Sequence, residues 1–128
     1  MILRVTIAAI ALCAGAAPAL AADPAAGEKA YAVCRACHRV GEGARNGVGP
    51  TLNGVVGQQA ASVEGFNYSD AMKNSGITWD ETNLAEFLKN PKQKIPGNKM
   101  VFAGVRDDAR IADIIAYLAQ FNPDGTKK

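Results

Sequence analysis

The sequence predicts an all-α fold, with two longer terminal helices and two short helices between them. Three observations favour this class. The clearest apolar period in the chain is helical, no segment alternates apolar and polar residues for long enough to form a strand, and cap and turn residues separate the helical segments. With 128 residues in total, the chain fits one small domain.

The first two predicted helices are identified by their ends. One opens at Asp23, with Pro24 in its first turn, where proline is tolerated because the N–H that it lacks has no helical partner. The other is short: Ser69 is expected to cap it, and Gly76 is expected to stop it.

The segment TWDETNLAEFLKNP predicts the third helix. Thr78 and Glu81 stand three apart, the capping-box spacing in which a hydroxyl and a carboxylate satisfy free N–H groups at a helix start. We expect this helix to end at Asn90, because the residue before a proline disfavours helical geometry and Pro91 follows.

The last helix carries the strongest period. Its apolar residues recur at i, i+3, i+4 and i+7: Ile111, Ile114, Ile115 and Leu118. Asp107 and Asp108 are placed in its first turn, where negative charge is favourable, and Pro123 is expected to terminate it.

The middle of the chain poses a packing problem. From Arg39 to Glu64 it is rich in glycine and has no sustained period, and such a long irregular stretch in a small domain is unusual unless it wraps something. Large apolar residues are few, and four aromatic residues lie outside any strong period: Tyr31, Phe66, Tyr68 and Trp79. Something apolar should therefore complete the core.

Residues 1–21 are predicted to be a cleaved secretory signal, which leaves residues 22–128 as the domain. Arg4 precedes an apolar run too short for a comfortable membrane span, and Ala19-Leu20-Ala21 is typical of a signal-peptidase site, with cleavage after Ala21 or Ala22. Loss of Arg4 from 14 basic and 12 acidic residues leaves a net charge near +1, which argues against a general polyanion binder. We expect a periplasmic protein without a membrane span after cleavage.

Cys34, Cys37 and His38 bring the scarcest side chains of the chain together, since His38 is its only histidine. A redox dithiol needs this spacing at a helix start in a βαβ unit, zinc needs four ligands, and a disulfide across two residues stabilises little. Covalent haem attachment is favoured, because each thiol can add to a porphyrin vinyl group while the imidazole reaches the iron. A haem would also supply the missing apolar core.

Longer motifs then point to a family. CRACH, GVGPTLNGVVG, GFNYSDAMKNSGITW, NPKQKIPGNKMVFAGV and RIADIIAYL resemble, in order and spacing, segments of the class I c-type cytochromes, which include mitochondrial-like cytochromes c and bacterial cytochromes c2. The resemblance covers residues from Asp23 to Phe121. It implies the small cytochrome c fold, in which the terminal helices cross and loops wrap one covalently bound haem c.

The resemblance implies a role for each residue that would hold the haem. Cys34 and Cys37 would form the thioethers, and His38 and Met100 would be the axial ligands of the iron. The other methionine of the mature chain, Met72, is interpreted as an ordinary core residue. A histidine opposite a thioether raises the reduction potential, because the soft sulfur donor favours ferrous iron.

Further residues are implied around the ligands. The Pro50 carbonyl should accept a hydrogen bond from the His38 ring, and Tyr68 and Trp79 should hydrogen-bond the haem propionates. Tyr31, Ile114 and Tyr117 resemble the contact between the terminal helices. The chain departs from its relatives at four positions. Gln58 stands where relatives commonly have arginine, and Met72 stands where they often have asparagine. Phe87 stands where they commonly have tyrosine, and Asn98 where threonine is frequent. These departures have opposing effects on the potential.

The resulting functional prediction is a soluble periplasmic one-electron carrier rather than an enzyme. It would take electrons from a quinol-oxidising cytochrome complex and pass them to a terminal oxidase, a photosynthetic reaction centre or a similar acceptor. The alternative is a haem peroxidase or ligand-binding sensor with a labile methionine ligand. Lys89, Lys92, Lys94 and Lys99 follow one another with no acid among them. We expect a monomer that docks on acidic redox proteins through basic residues at the haem edge: Lys29, Arg35, Lys92, Lys94 and Lys99.

Overall fold

The computed structural model describes Gly15 and residues 21–128, so most of the predicted signal lies outside the described residues. The described part of the chain contains six α-helices: α1 Pro24–Ala30, α2 Ala32–Arg35, α3 Asp70–Lys73, α4 Glu81–Lys89, α5 Pro91–Lys94 and α6 Asp108–Leu118. These residues form no strand, only two isolated bridges, Gln59 with Thr78 and Phe121 with Lys127. The all-α prediction is confirmed. No helix in residues 21–128 is both long and apolar enough to cross a membrane.

The terminal helices α1 and α6 form the main helix contact of the fold. A Cβ atom at Gly27 would lie only 1.9 Å from the Asp113 carbonyl oxygen, so the two backbones approach as closely as they do because residue 27 has no side chain. Tyr31 is completely buried beside this crossing, with its ring centroid 5.3 Å from that of Tyr117. The core continues from α6 to α4 and from α4 to α5.

The starts of α1 and α3 agree with the sequence, but the end of α3 differs. The Asp23 side chain accepts a hydrogen bond from the Ala25 N–H at 2.9 Å, and the Ser69 hydroxyl accepts one from the Met72 N–H at 3.1 Å. The first helix is interrupted at Tyr31 and resumes as α2. The helix α3 ends at Lys73, before the expected stop at Gly76.

The capping box predicted at Thr78 is wrong. The N-cap of α4 is Asp80, whose carboxylate accepts a hydrogen bond from the Asn83 N–H at 2.7 Å. Residues 77–79 are instead paired with residues 57–60, since the Trp79 N–H donates to the Gln58 carbonyl at 2.8 Å. Because this pairing keeps Thr78 extended, α4 can begin only after the paired residues 77–79. The predicted end of α4 at Asn90 is confirmed.

The short helix α5 was not predicted, although Asn90-Pro91 is a start signal. The Asn90 side chain caps it by accepting from the Gln93 N–H at 3.2 Å, and Pro91 occupies its first turn. At the other end of the chain, Pro123 does not terminate α6, which already ends at Leu118. Pro123 instead packs against Gly54, where a Cβ atom would lie 2.8 Å from its ring.

The variant Gly27→Ala tests the terminal crossing. In an exposed helix this change stabilises, because alanine has the higher helix propensity. Here the added methyl group meets the Asp113 backbone, so we expect the free energy of unfolding to fall by about 1–3 kcal/mol. Guanidinium unfolding of the holoprotein measures the effect, and Glu28→Ala at the exposed next position is the control. A Gly27→Ala protein as stable as the wild type would contradict the account of the crossing.

Candidate functional site

Cys34 lies in α2, and Cys37 lies in the irregular turn that follows this helix. The Cys37 N–H and the His38 N–H both donate to the Cys34 carbonyl, at 3.1 and 2.8 Å, so the chain turns tightly around Cys34. Both thiols are partly buried, and neither is bonded to another cysteine of the described residues. Burial raises the pKa of the Cys34 thiol, and the positive charge of Arg110 partly opposes this.

The His38 side chain is held in one orientation by a backbone carbonyl. Its Nδ1 lies 2.8 Å from the Pro50 oxygen, the contact that the resemblance implied. Because a carbonyl can only accept, Nδ1 carries the proton and Nε2 keeps its lone pair. Burial lowers the pKa of His38, partly offset by the bond to Pro50, which raises it. The site therefore presents a neutral imidazole with one nitrogen able to bind a metal.

The glycine-rich segment returns to the cysteines and packs against the histidine. The Gly49 N–H donates to the Cys37 carbonyl at 2.9 Å, and a Cβ atom at Gly49 would lie 2.4 Å from the His38 ring. Asn53 clamps the next part of this segment, because its amide bonds both the N–H and the carbonyl of Gly41, at 2.8 and 2.9 Å. The backbone groups of this segment therefore bond other residues around the site instead of forming a helix, which agrees with the absence of a helical period in its sequence.

Tyr31 has a second function that sequence reasoning missed. It was expected only to pack between the terminal helices, but its hydroxyl also donates to the His38 carbonyl at 2.7 Å. Burial raises the pKa of Tyr31, so the hydroxyl remains protonated and able to donate. The signal available in the sequence was the general need of a buried tyrosine hydroxyl for a partner.

Two neighbouring cavities lie beside the histidine, with volumes of about 110 and 400 Å³. Five residues line both: Cys34, His38, Tyr68, Met72 and Met100. Cys37 and Asn98 line only the larger cavity. Apart from the five shared residues, most side chains that line the smaller cavity are apolar. The fold thus collects both thiols, the imidazole and the two methionine sulfurs at one mostly apolar space.

The two residues predicted to bond the propionates, Tyr68 and Trp79, line the smaller cavity together with three of the four residues at which this chain departs from its relatives. Pro50, Gln58, Trp79 and Phe87 line the smaller cavity, and the Trp79 and Phe87 rings are 5.0 Å apart. The Tyr68 hydroxyl accepts a hydrogen bond from the Val63 N–H at 3.1 Å. Burial raises the pKa of Tyr68, which keeps its hydroxyl available as a donor as well.

Two of the four lysines that follow one another without an acid, Lys89 and Lys94, are paired with acids outside that stretch. Lys94 contacts the Glu86 carboxylate and donates to the Asn83 side chain at 2.9 Å, and Lys89 pairs with Asp108 at 2.9 Å. Lys99 reaches the Asn67 carbonyl at 3.0 Å, at the rim of the larger cavity. The basic residues are therefore unequal in the charge that they present to a partner.

The other expected basic residues are exposed. Lys29 lies in α1 and Arg35 in α2, with the Arg35 guanidinium 5.8 Å from the centre of the Tyr31 ring. Lys92 lies in α5. Among residues 21–128 there is no group of three or more histidine, cysteine, aspartate and glutamate side chains able to hold a metal ion by themselves.

Comparison with known proteins decides what the site holds. A family model described as cytochrome c matches residues 24–122, nearly all of the described chain. The chain belongs to the cytochrome c family. Its motifs and its relatives place it among the class I c-type cytochromes. It carries covalently bound haem c.

This cytochrome is similar to several bacterial cytochromes. It is 55% identical over 117 residues to cytochrome c2 of Blastochloris viridis, a match that covers 91% of this chain and 92% of that protein. It is also 55% identical to cytochrome c-554 of Methylosinus trichosporium, with 94% and 90% covered. Among solved structures, cytochrome cH from Methylobacterium extorquens has a TM-score of 0.72 at 54% identity, covering 76% of this chain and 97% of that one.

The residues at the cavities fit haem c. Two thiols free of disulfides are what covalent attachment requires, and a neutral imidazole with a free Nε2 is what haem iron requires. The absence of a side chain at Gly49 leaves room for the imidazole. Mostly apolar residues line the space beside it, which suits the porphyrin faces.

The variant Gly49→Ala tests the packing of the histidine. A methyl group there would overlap the imidazole, so we expect the ring to be displaced from its bond with Pro50 and the visible spectrum of the ferric protein to change. Gly47→Ala is the matched control in the same segment, because its Cβ atom would meet no atom closer than 3.8 Å. If both variants have the wild-type spectrum and the same yield of holoprotein, the ring is not confined by Gly49.

Proposed function

We propose that this cytochrome is a periplasmic one-electron carrier whose iron is closed to substrates by two protein ligands, His38 and Met100. The observation that carries the proposal is that both side chains line both cavities, together with the Cys34 thiol. The haem iron, when bound, supplies a one-electron couple. With an imidazole and a thioether at its two axial positions, no substrate can reach the iron without displacing a ligand.

The remaining site residues are proposed in supporting roles. Cys34 and Cys37 tether the haem through thioethers, and the Pro50 carbonyl fixes the tautomer of His38 and increases the basicity of its free nitrogen. Tyr68 and Trp79, which line the smaller cavity, hold the propionates. The mostly apolar surroundings disfavour the cationic ferric state, and the soft sulfur of Met100 favours ferrous iron, so both raise the potential.

Electron exchange is proposed to occur at the mouth of the larger cavity. The three large apolar side chains that are exposed in the described chain, Val33, Val48 and Val101, all line this cavity. Lys99 lies at the same mouth. An apolar centre with basic residues around it suits brief docking on an acidic redox protein. The basic set is Lys29, Arg35, Lys92, Lys94 and Lys99, of which Lys94 contributes least because Glu86 neutralises it.

Location and partners extend the same proposal. The domain is residues 22–128, exported as a monomer after removal of residues 1–21. The relatives, cytochrome c2 among them, support an electron-carrier cytochrome. Its proposed donor is a quinol-oxidising cytochrome complex, and its proposed acceptor is a terminal oxidase, a photosynthetic reaction centre or a similar protein. Mass spectrometry of the periplasmic protein locates the mature N-terminus, and rates with purified membrane complexes identify the partner.

The alternative, a peroxidase or ligand sensor, keeps one supporting observation. Met72 lines both cavities alongside Met100, and Phe87 provides no hydroxyl near them, so a second thioether is available if Met100 leaves the iron. Retention of both His38 and Met100 on the iron when a ligand is added would favour the carrier. Rapid binding of an added ligand to the ferric protein at neutral pH would favour the sensor.

Met100→Leu, with Met72→Leu as its matched control, tests the ligand assignment. We expect Met100→Leu to remove the long-wavelength sulfur-to-iron absorption band and to lower the reduction potential by about 59 mV or more, because the thioether favours ferrous iron. Met72→Leu should keep the band. Absorption spectra and redox titration of both holoproteins decide the assignment, which fails if the band survives in Met100→Leu.

Lys99→Gln tests the docking surface. Loss of a positive charge at the cavity mouth should slow association with an acidic redox partner roughly twofold or more at low salt, since charges at the rim of an interface act on the association rate. The difference should shrink as salt rises, because exposed charges are screened over about 8 Å at physiological ionic strength. Lys128→Gln changes the net charge equally but lies at neither cavity. Equal rates for the two variants in stopped-flow measurements would refute the surface.

A further inference from the structure

The side-chain amide of Asn98 joins the segment that carries Met100 to the helix α5. Its Nδ2 group donates to two carbonyl oxygens, Pro91 at 2.9 Å and Ile95 at 2.8 Å. Its Oδ1 atom accepts a hydrogen bond from the Met100 N–H at 2.9 Å. Both amide protons and the oxygen of Asn98 are therefore used. Two of the bonds go to α5 and its C-cap and the third to the backbone of Met100, so the side chain of Asn98 connects the two.

The carbonyl groups that Asn98 contacts belong to a firmly placed part of the fold. Pro91 is among the most completely buried side chains, and Ile95 is also buried in the core. The helix α5, which these residues bound, packs against α4. Movement of Asn98 away from this helix would leave the Pro91 and Ile95 carbonyls without its two N–H donors.

The far end of the segment is fixed independently. The Val105 N–H donates to the Leu88 carbonyl at 2.8 Å. Gly104 has a φ of +111°, and a Cβ atom there would lie 2.2 Å from the Lys89 carbonyl oxygen. Between the two ends, Val101 is fully exposed and cannot anchor the segment by burial. Lys99 donates to the Asn67 carbonyl at 3.0 Å, and Phe102 packs against the core, so both also hold the segment. Among the described residues only Asn98 bonds the Met100 N–H, so it is the residue that directly fixes the backbone of Met100 on its N-terminal side.

We propose that Asn98 is the positioning residue that keeps the Met100 sulfur at its place in the cavity and so controls how readily an added ligand can replace it. This inference rests on the proposed role of Met100 as an axial ligand. An asparagine is suited to the task because its planar amide supplies two donors and one acceptor in fixed directions. A threonine hydroxyl supplies one donor, and an aspartate would replace the Nδ2 group by an acceptor oxygen that faces both carbonyl oxygens.

Cyanide binding to the ferric holoprotein measures the effect, because cyanide competes with the methionine for the iron. We expect Asn98→Ala and Asn98→Asp to bind cyanide roughly tenfold to a hundredfold faster than the wild type, since each removes several hydrogen bonds from the closed segment. Asn98→Thr should show a smaller acceleration. The sulfur-to-iron band should be present before cyanide is added in the threonine variant and weakened in the aspartate variant.

The matched control is Asn90→Ala. Asn90 caps the other end of the same short helix through the Gln93 N–H, but it makes no contact with Met100. It should lower the guanidinium midpoint while leaving the rate of cyanide binding within about twofold of the wild type. A merely structural role for Asn98 predicts lowered midpoints for both residues and unchanged cyanide binding for both.

The outcomes separate this inference from the proposed function. If Asn98→Ala and Asn98→Asp bind cyanide at the wild-type rate, or if Asn90→Ala accelerates it equally, the positioning role is overturned. If these two variants yield no holoprotein, Asn98→Thr decides: faster binding supports the role and the wild-type rate overturns it. Met100→Leu tests the premise, because a band that survives in that variant refutes the ligand itself, whereas its loss beside unaffected Asn98 variants refutes only the role of Asn98.

Discussion

The hydrogen bond from the His38 ring to the Pro50 carbonyl is the interaction on which the rest of the structure depends. It selects the tautomer whose free nitrogen can bind iron, and it requires the chain to return to the histidine only twelve residues later. That return brings Gly49 against the ring, where no side chain could be accommodated. The glycine-rich middle of the chain is therefore the physical consequence of backbone packed around an imidazole and its cavity.

The same histidine joins the site to the terminal helices. Tyr31 lies between α1 and α2, is completely buried against α6, and donates its hydroxyl to the His38 carbonyl. Gly27, one turn earlier, permits the close crossing that buries Tyr31. A change that separates α1 from α6 would move the tyrosine and with it the backbone of the histidine, so the stability of the crossing and the geometry of the site are linked by one side chain.

Helix caps could be predicted from the sequence, whereas contacts between distant residues could not. Asp23 and Ser69 were identified as helix caps from the sequence because a cap depends on residues two or three positions away. Thr78 was misassigned because its pairing with Gln59, nineteen residues earlier, decides where α4 can begin.

The site shows the same division between near and distant residues. The spacing of Cys34, Cys37 and His38 indicated haem, but only the resemblance to cytochromes c indicated Met100, since no local pattern connects residues so far apart. The pairing of Lys94 with Glu86 and the three bonds of Asn98 depend on how α5 packs, and α5 itself was not predicted.

The two sides of the cavities are held in different ways, and this difference bears on which ligand can move. His38 is fixed by Gly49 and Pro50 of the glycine-rich segment and by Tyr31, which lies between α1 and α2, so two segments must move before it is free. The backbone of Met100 is tied on its N-terminal side through Asn98, beside a fully exposed Val101. Segments with few buried contacts open at lower free energy than the global fold. With His38 and Met100 as the proposed ligands, we expect ligand exchange to begin at the methionine, and the proposed role of the Asn98 amide is to make that exchange rare.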